Sequence, residues 1–187
     1  MASFIKSAFT RYPVISNAVV YGTMCVGAEF TQQTFKRNYS EKSNPPPYDV
    51  ASLGRYAVVG TCINSNLLYF WFTHVENLSP GTSLRSIFHK TILTQVILSP
   101  IFVTSFYISM SIMEGKQDIF EECKQKFIPT FKSSCGFWLP AQTINFLLVP
   151  PAARVVYVGT CSFLWLNILC LLKSEKVAED TPALEAL

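Results

Sequence analysis

From Ser133 to Leu172 the chain runs for forty residues with a single charge, Arg154. A stretch so poor in charge is insoluble unless lipid or other protein covers it. A helix needs about 20 apolar residues, at a rise of about 1.5 Å each, to cross a hydrocarbon core of about 30 Å. Proline removes a backbone donor and crowds the turn before it, so the Pro150–Pro151 step cuts this stretch into two pieces of nearly crossing length. The solvent of the chain is therefore set before any chemistry is considered.

The rest of the sequence agrees. Only 14% of its 187 residues are charged, against about a quarter in soluble domains. Further charge-free runs cover 12–28, 56–75 and 91–113, each near the length of a spanning helix. The expected fold is an all-α membrane protein, a bundle of four transmembrane helices with the last hydrophobic stretch broken at Pro150–Pro151. A fifth crossing is the alternative. No linker is long enough to separate two units, so residues 1–175 read as one integral membrane helical domain. Residues 176–187 read as an acidic disordered tail.

The connections carry the polar residues. A first span starts near Pro13, a favourable first helical residue. Before Glu29 the chain holds no acid, a faint transit-peptide character that also fits the flank of a retained first helix. Residues 36–49, with three prolines, read as a loop. Pro100 at mid-span of the third run predicts a kink. Between 117 and 131 charges alternate with Ile119, Phe120, Cys123 and Phe127 at helical spacing, which predicts a short amphipathic helix on the membrane surface. Lys and Arg number eight in the first and third connections and four in the N-terminus and second connection. The N-terminus is thus expected opposite the positively biased compartment.

Ionisable and amide groups inside spans are costly and usually face a bundle interior or a wet path. Glu29 lies near the end of the first span with Gln32 and Gln33 on the same helical face. The three either line a path or sit hydrated at the interface. Gln142 and Asn145 share a face of the fourth run, with Gln95, Asn64 and Asn66 as candidate partners. Interhelical hydrogen bonding and a solute path are both open readings. Arg154 at a helix start opposes the dipole and calls for an anion, for which Glu29 is a candidate. Glu29, Gln33, Gln95, Gln142, Asn145 and Arg154 are therefore the polar-path candidates. Trp165 and Asn167 read as an interface anchor.

Other chemistry finds little support. The net charge of +3 is spread through loops, so no nucleic-acid partner is expected. Six cysteines form no C-x-x-C pair and no metal-ligand spacing with the two histidines. Five sit within or at the ends of apolar runs, where a structural role is expected. No metal, cofactor or enzyme motif is present, so the expectation is a non-enzyme.

Trp138-x3-Gln142-x2-Asn145-Phe146-x2-Val149-Pro150-x3-Arg154-x10-Trp165 resembles the signature of the Mpv-17 and peroxisomal membrane protein family. Lys90-x4-Gln95-x4-Pro100 and Glu114-Gly115-Lys116 are similar to two further family elements. The segment from Pro100 to Phe127 is similar to the Mpv-17-like branch. In this resemblance Trp138, Phe146, Pro150, Trp165 and Pro100 are signature residues with structural roles. Thr94 stands where the family has Asp, so an acid is absent from the third span. The resemblance implies a small protein of the mitochondrial inner membrane, or alternatively of the peroxisomal membrane. It implies a non-selective channel for small solutes, supporting reactive-oxygen homeostasis and mitochondrial DNA maintenance. The rival expectation is a non-conducting scaffold that organises a membrane complex. The expected partners are the lipid bilayer, small solutes and a second copy of the chain.

Overall fold

In the computed structural model the chain forms five long helices, and no strand occurs among the described residues, 11–38, 47–78, 80, 83–149 and 154–175. Helix α1 is Pro13–Asn38 and starts on the expected proline. Helix α2 covers 50–78 and begins at Val50, where the Asp49 side chain accepts from the Ser52 backbone N–H at 2.8 Å. Helix α3 is Leu84–Met113, capped by Ser83. Helices α4 and α5 are Glu121–Leu147 and Arg154–Glu175. The lengths of 26 residues for α1 and 30 for α3 correspond to about 39 and 45 Å. Leu84–Met113 is the one described helix both long and apolar enough throughout to cross a bilayer by length and composition alone.

Two expectations change here. Residues 117–131 do not form a separate surface helix. From Glu121 onward they are the first turns of α4, continuous with the fourth apolar run, and Pro129 and Pro140 lie inside that helix. The physical reason is partnership: the charges at 122 and 126 find counter-charges inside the protein and need no water. The C-terminal hydrophobic stretch is two helices, since α4 ends at Leu147 and the chain resumes helix at Arg154. The bundle therefore holds five long helices instead of four and a surface helix. Pro150 and the tail 176–187 lie outside the described residues.

The five helices alternate in direction and close into a ring. Each packs against its successor in sequence, and α5 returns to pack on α1. The α1–α2 crossing is tight because glycines meet there. A Cβ on Gly60 would lie 2.8 Å from Cys25 Sγ and 3.2 Å from Gly22 Cα, and one on Gly22 would lie 2.1 Å from Thr61 Cγ2.

Both helices that carry a mid-span irregularity carry the same one, a π turn, at Val59–Asn64 in α2 and Thr94–Leu98 in α3. The second ends just before Pro100. Proline has no N–H to give and its ring crowds the carbonyl four residues back, so widening that turn accommodates it. The expected kink at Pro100 is thus a local widening that sets the direction of Gln95, one of its residues.

The distribution of polarity is the reverse of a soluble bundle. Val19, Val96, Ile101, Ile128, Ile144 and Leu164 are exposed, whereas Asn64, Gln95, Ser111, Glu122, Lys126, Thr130, Ser134 and Asn145 are buried. Outward hydroxyls bond to their own helix, as Thr23 does to the Val19 carbonyl and Thr143 to that of Leu139. Such back-bonding hides a polar group where no water is at hand. Four of the six cysteines are buried, Cys25, Cys123, Cys161 and Cys170, and none is in a disulfide.

Candidate functional site

Ring closure leaves two cavities, one above the other along the bundle. The first, of about 680 Å³, opens where α1 and α5 end and where α2 and α4 begin. Glu29, Gln32 and Gln33 line it from α1, Ser52 and Arg55 from α2, and Glu114, Lys116, Glu122 and Lys173 from the opposite side. The second, of about 820 Å³, lies toward the other end and is mostly apolar, with Gln95, Gln142, Ser99 and Ser134 among its lining residues. Between them Cys25, Val59, Phe106, Met110, Leu166 and Leu169 form a packed layer.

In the first cavity Glu29 sits as its sequence spacing implies. Gln33 Nε2 donates to Glu29 Oε1 at 2.9 Å, and Ser52 Oγ donates to the same oxygen at 2.8 Å. Gln33 also exchanges two hydrogen bonds with the Asp49 backbone, which joins α1 to the start of α2. Gln32 Nε2 donates to the Asn167 carbonyl of α5 at 3.2 Å. Residue 154 lies 13 residues before Asn167, about 20 Å along α5. The Arg154 side chain, the expected counter-charge of Glu29, lies outside the described residues, as does that of Phe146.

Facing Glu29 is a cluster that sequence reading missed. It sits at the charged end of α4, ahead of the apolar run that begins at Ser133. Glu122 accepts from Lys116 Nζ at 2.6 Å, Lys126 Nζ at 2.8 Å and Lys173 Nζ at 2.9 Å. Glu114 accepts from Lys116 and Lys173, each at 3.1 Å. Lys126 Nζ also donates to the Lys173 carbonyl. Burial pushes the Glu122 carboxyl up, but the three ammonium groups overcome it and hold it down at about 2. Burial also works against the charge of Lys116, yet Glu122 and Glu114 keep it above its ordinary value. For Lys126 burial wins, aided by repulsion from Lys173 and Lys116, and its value is lowered. The sequence did hold a signal: Glu122 and Lys126 are four apart, the spacing of a helical ion pair. The apolar residues beside them suggested a surface helix, but Cys123 is buried in the core, Phe127 packs against it and Phe120 is exposed.

In the second cavity Gln95 Nε2 donates to Ser134 Oγ at 3.2 Å, Ser99 Oγ at 3.4 Å and Cys135 Sγ at 3.2 Å. Asn145 Nδ2 donates to Gln142 Oε1 at 3.3 Å. These two amides share a face as expected, but they pair with each other and not with Gln95 or Asn66. Asn66 bonds to the carbonyl of Cys62, and Oδ1 of both Asn64 and Asn145 is buried without a partner among the described residues. Trp71 Nε1 donates to Thr94 Oγ1 at 2.9 Å, so the position that is acidic in the family carries a neutral acceptor here. Trp138 lines this cavity. Trp165 is a buried core residue against Phe137, with ring centroids 5.8 Å apart, and not an interface anchor.

A polar seam joins the cavities along the α3–α4 contact. Ser111 Oγ reaches Glu122 at 3.5 Å, Tyr107 Oη and Thr130 Oγ1 share a bond of 2.8 Å, and Ser99 and Ser134 share one of 3.0 Å. On α4 the row Glu122, Lys126, Thr130, Ser134 steps by four, and on α3 the row Gln95, Ser99, Tyr107, Ser111 steps by four with Val103 between. Steps of four keep each row along one winding ridge of its helix, so sequence spacing and tertiary contact agree.

A profile of the Mpv17 / PMP22 family matches residues 111–170, which hold the α3–α4 turn, the charged cluster's Glu114, Lys116, Glu122 and Lys126, and most of α5. The chain is 32% identical over 174 residues to a Xenopus laevis Mpv17-like protein, covering 93% of this chain and 83% of that one. It is 35% identical over 171 residues to the Bos taurus Mpv17-like protein, at 91% and 83% coverage. It is 24% identical over 163 residues to peroxisomal membrane protein 2 of Bos taurus, at 86% and 83% coverage. No solved structure matches the chain. With apolar residues facing out, a helix fit to cross a bilayer and relatives that align along most of its length, the chain belongs to the Mpv17 / PMP22 family of membrane proteins.

Proposed function

We propose that this protein is a channel-like pore for small solutes in an organelle membrane, crossing it five times. The observation that supports this most is the hydrogen-bonded α3–α4 seam, which runs through an otherwise apolar layer and connects two cavities of about 680 and 820 Å³. Burying so many hydroxyl, amide and charged groups is costly in hydrocarbon unless they pair or meet water. Here they pair in the arrangement described, and separation of α3 from α4 would turn the same groups toward water. The side chains of the packed layer then act as the closure. The ring closes within one chain, so the reading requires no second copy.

The family resemblance supports a home in the mitochondrial inner membrane, where solute exchange would serve redox balance and mitochondrial DNA maintenance. The name of the bovine peroxisomal relative keeps the peroxisomal membrane as the alternative. Imaging of the tagged chain against markers of both organelles separates them. The functional alternative is a non-conducting scaffold that organises a membrane complex, for which partners co-purifying with the full chain are the distinguishing result.

Purified protein in planar bilayers is expected to give discrete conductance steps, altered by Glu29→Gln or Gln142→Leu. Bilayers that stay silent across the voltage range would overturn the pore.

A further inference from the structure

The lining of the first cavity is neutral in sum but not in arrangement. It presents four acids, Glu29, Asp49, Glu114 and Glu122, and four bases, Lys36, Arg55, Lys116 and Lys173. Asp49 and Arg55 pair with each other at 3.4 Å. Glu114 and Glu122 are held among Lys116, Lys126 and Lys173, with Lys126 bound to Glu122 behind the wall and Lys116 and Lys173 facing the cavity. Across from it Glu29 receives its hydrogen bonds from neutral groups, those of Gln33 and Ser52, and it makes no ion pair among the described residues. Lys36, exposed on the last turn of α1, stands at the mouth. A carboxylate that makes no ion pair among the described residues and a wall bearing two lysines thus face one space, where the low dielectric of the surroundings strengthens both fields.

A free anion entering this space meets Glu29, and a free cation meets the lysine cluster. A neutral polar solute satisfies neither. A small molecule that is itself neutral but carries an ammonium and a carboxylate satisfies both. We propose that the cavity is a binding site for small zwitterions of the α-amino-acid type. Glu29, held in place by Gln33 and Ser52, takes the ammonium. Lys116, the least buried of the three cluster lysines, takes the carboxylate together with Lys173. Charge-assisted hydrogen bonds at both ends are the strong kind, and groups of opposite charge on the two walls favour solutes carrying both. The inference deepens the pore reading by naming the solute class at its charged mouth, and it rests on that reading only for the solute's onward route.

The test is binding by the full chain in detergent, read by calorimetry against four molecules of one size: alanine, lactate, 2-aminopropan-1-ol and propane-1,2-diol. Alanine is expected to bind about ten-fold tighter, or more, than each of the other three. Glu29→Gln should weaken alanine by a similar factor and leave lactate no weaker. Lys116→Met should weaken alanine and leave 2-aminopropan-1-ol no weaker. Glu29→Asp keeps the charge and should retain the preference, which separates loss of the site from loss of the fold. Lactate or 2-aminopropan-1-ol binding as tightly as alanine would overturn the site, and so would alanine binding unchanged by Glu29→Gln. Because binding is read without flux, silent bilayers would remove the pore and leave this site standing, and a conducting protein indifferent to alanine would do the reverse.

Discussion

Glu122 is the residue on which the charged end of the molecule depends. Three ammonium groups converge on one carboxylate that is largely withdrawn from water. Glu122→Gln leaves Lys126 buried without its counter-charge and Lys173 with Glu114 alone, and such a loss costs about 3–5 kcal/mol. Thermal melts of the detergent-solubilised protein should show a fall of that order, whereas Lys124→Gln, on the exposed side of the same turn, should leave the melt within about 0.5 kcal/mol of wild type. The pH dependence has a definite sign. The folded carboxyl titrates at about 2, below the ordinary 4.5, so its stabilisation is present above about 4.5 and is lost as pH falls toward 2. A melting temperature that dropped between pH 7 and pH 5 would point to other groups. Gly60 is the second such residue. Gly60→Ala drives a methyl against Cys25 and the Gly22 backbone, an overpacking expected to cost about 1–3 kcal/mol, readable in the same melts.

At the scale of the element, α4 best separates what spacing tells from what it hides. The pair Glu122 and Lys126 and the hydroxyls at 130 and 134 follow one another by four in the sequence, a pattern legible from spacing alone. Which side of that helix faces outward was not legible. For 117–131 the alternation of charged with apolar residues predicted a helix lying on the membrane surface with its charges in solvent, whereas Glu122 and Lys126 are buried beside Cys123. In lipid the outer face is free to be apolar, so the inner face can hold the polar row. The seam with α3 depends on this. Tyr107→Phe removes one of its buried bonds and strands the Thr130 hydroxyl at the packed layer, for a loss of about 1–3 kcal/mol in melting free energy. The paired change Tyr107→Phe with Thr130→Val should recover part of that loss, since removing both partners leaves nothing stranded.

For the whole molecule, five alternating helices predict where each turn lies. Single cysteines at Lys36, Gln117 and Lys173, introduced in a background lacking the exposed Cys62, should react with an impermeant thiol reagent from one side of sealed vesicles. Those at Pro80 and Leu148 should react from the other. Reaction of the Lys173 and Leu148 positions from the same side would restore the four-crossing fold. The helical class, a break between Leu147 and Arg154, the start at Pro13 and the shared face of Glu29 and Gln33 were all legible in the sequence, because each is a local matter of residue type or helical spacing. The cluster around Glu122 was not, because Lys173 lies some fifty residues further along and meets it only when α5 packs beside α4. The same holds for Gln95, whose partners on α4 are chosen by the π turn before Pro100 and not by its own neighbours.

The sequence by itself determined that the chain must be helical and lipid-covered, and it did so through the forty residues that hold only Arg154. Charge density and helix length are local properties, and the bilayer tests them one segment at a time. Only the tertiary structure decided that those residues form two of five helices in a ring and that α4 turns its polar row inward. It also decided that Glu29 faces a lysine-rich wall across the first cavity. Pairing of buried charges depends on which distant segments meet, and that is fixed by the packing of whole helices, not by the order of residues within one.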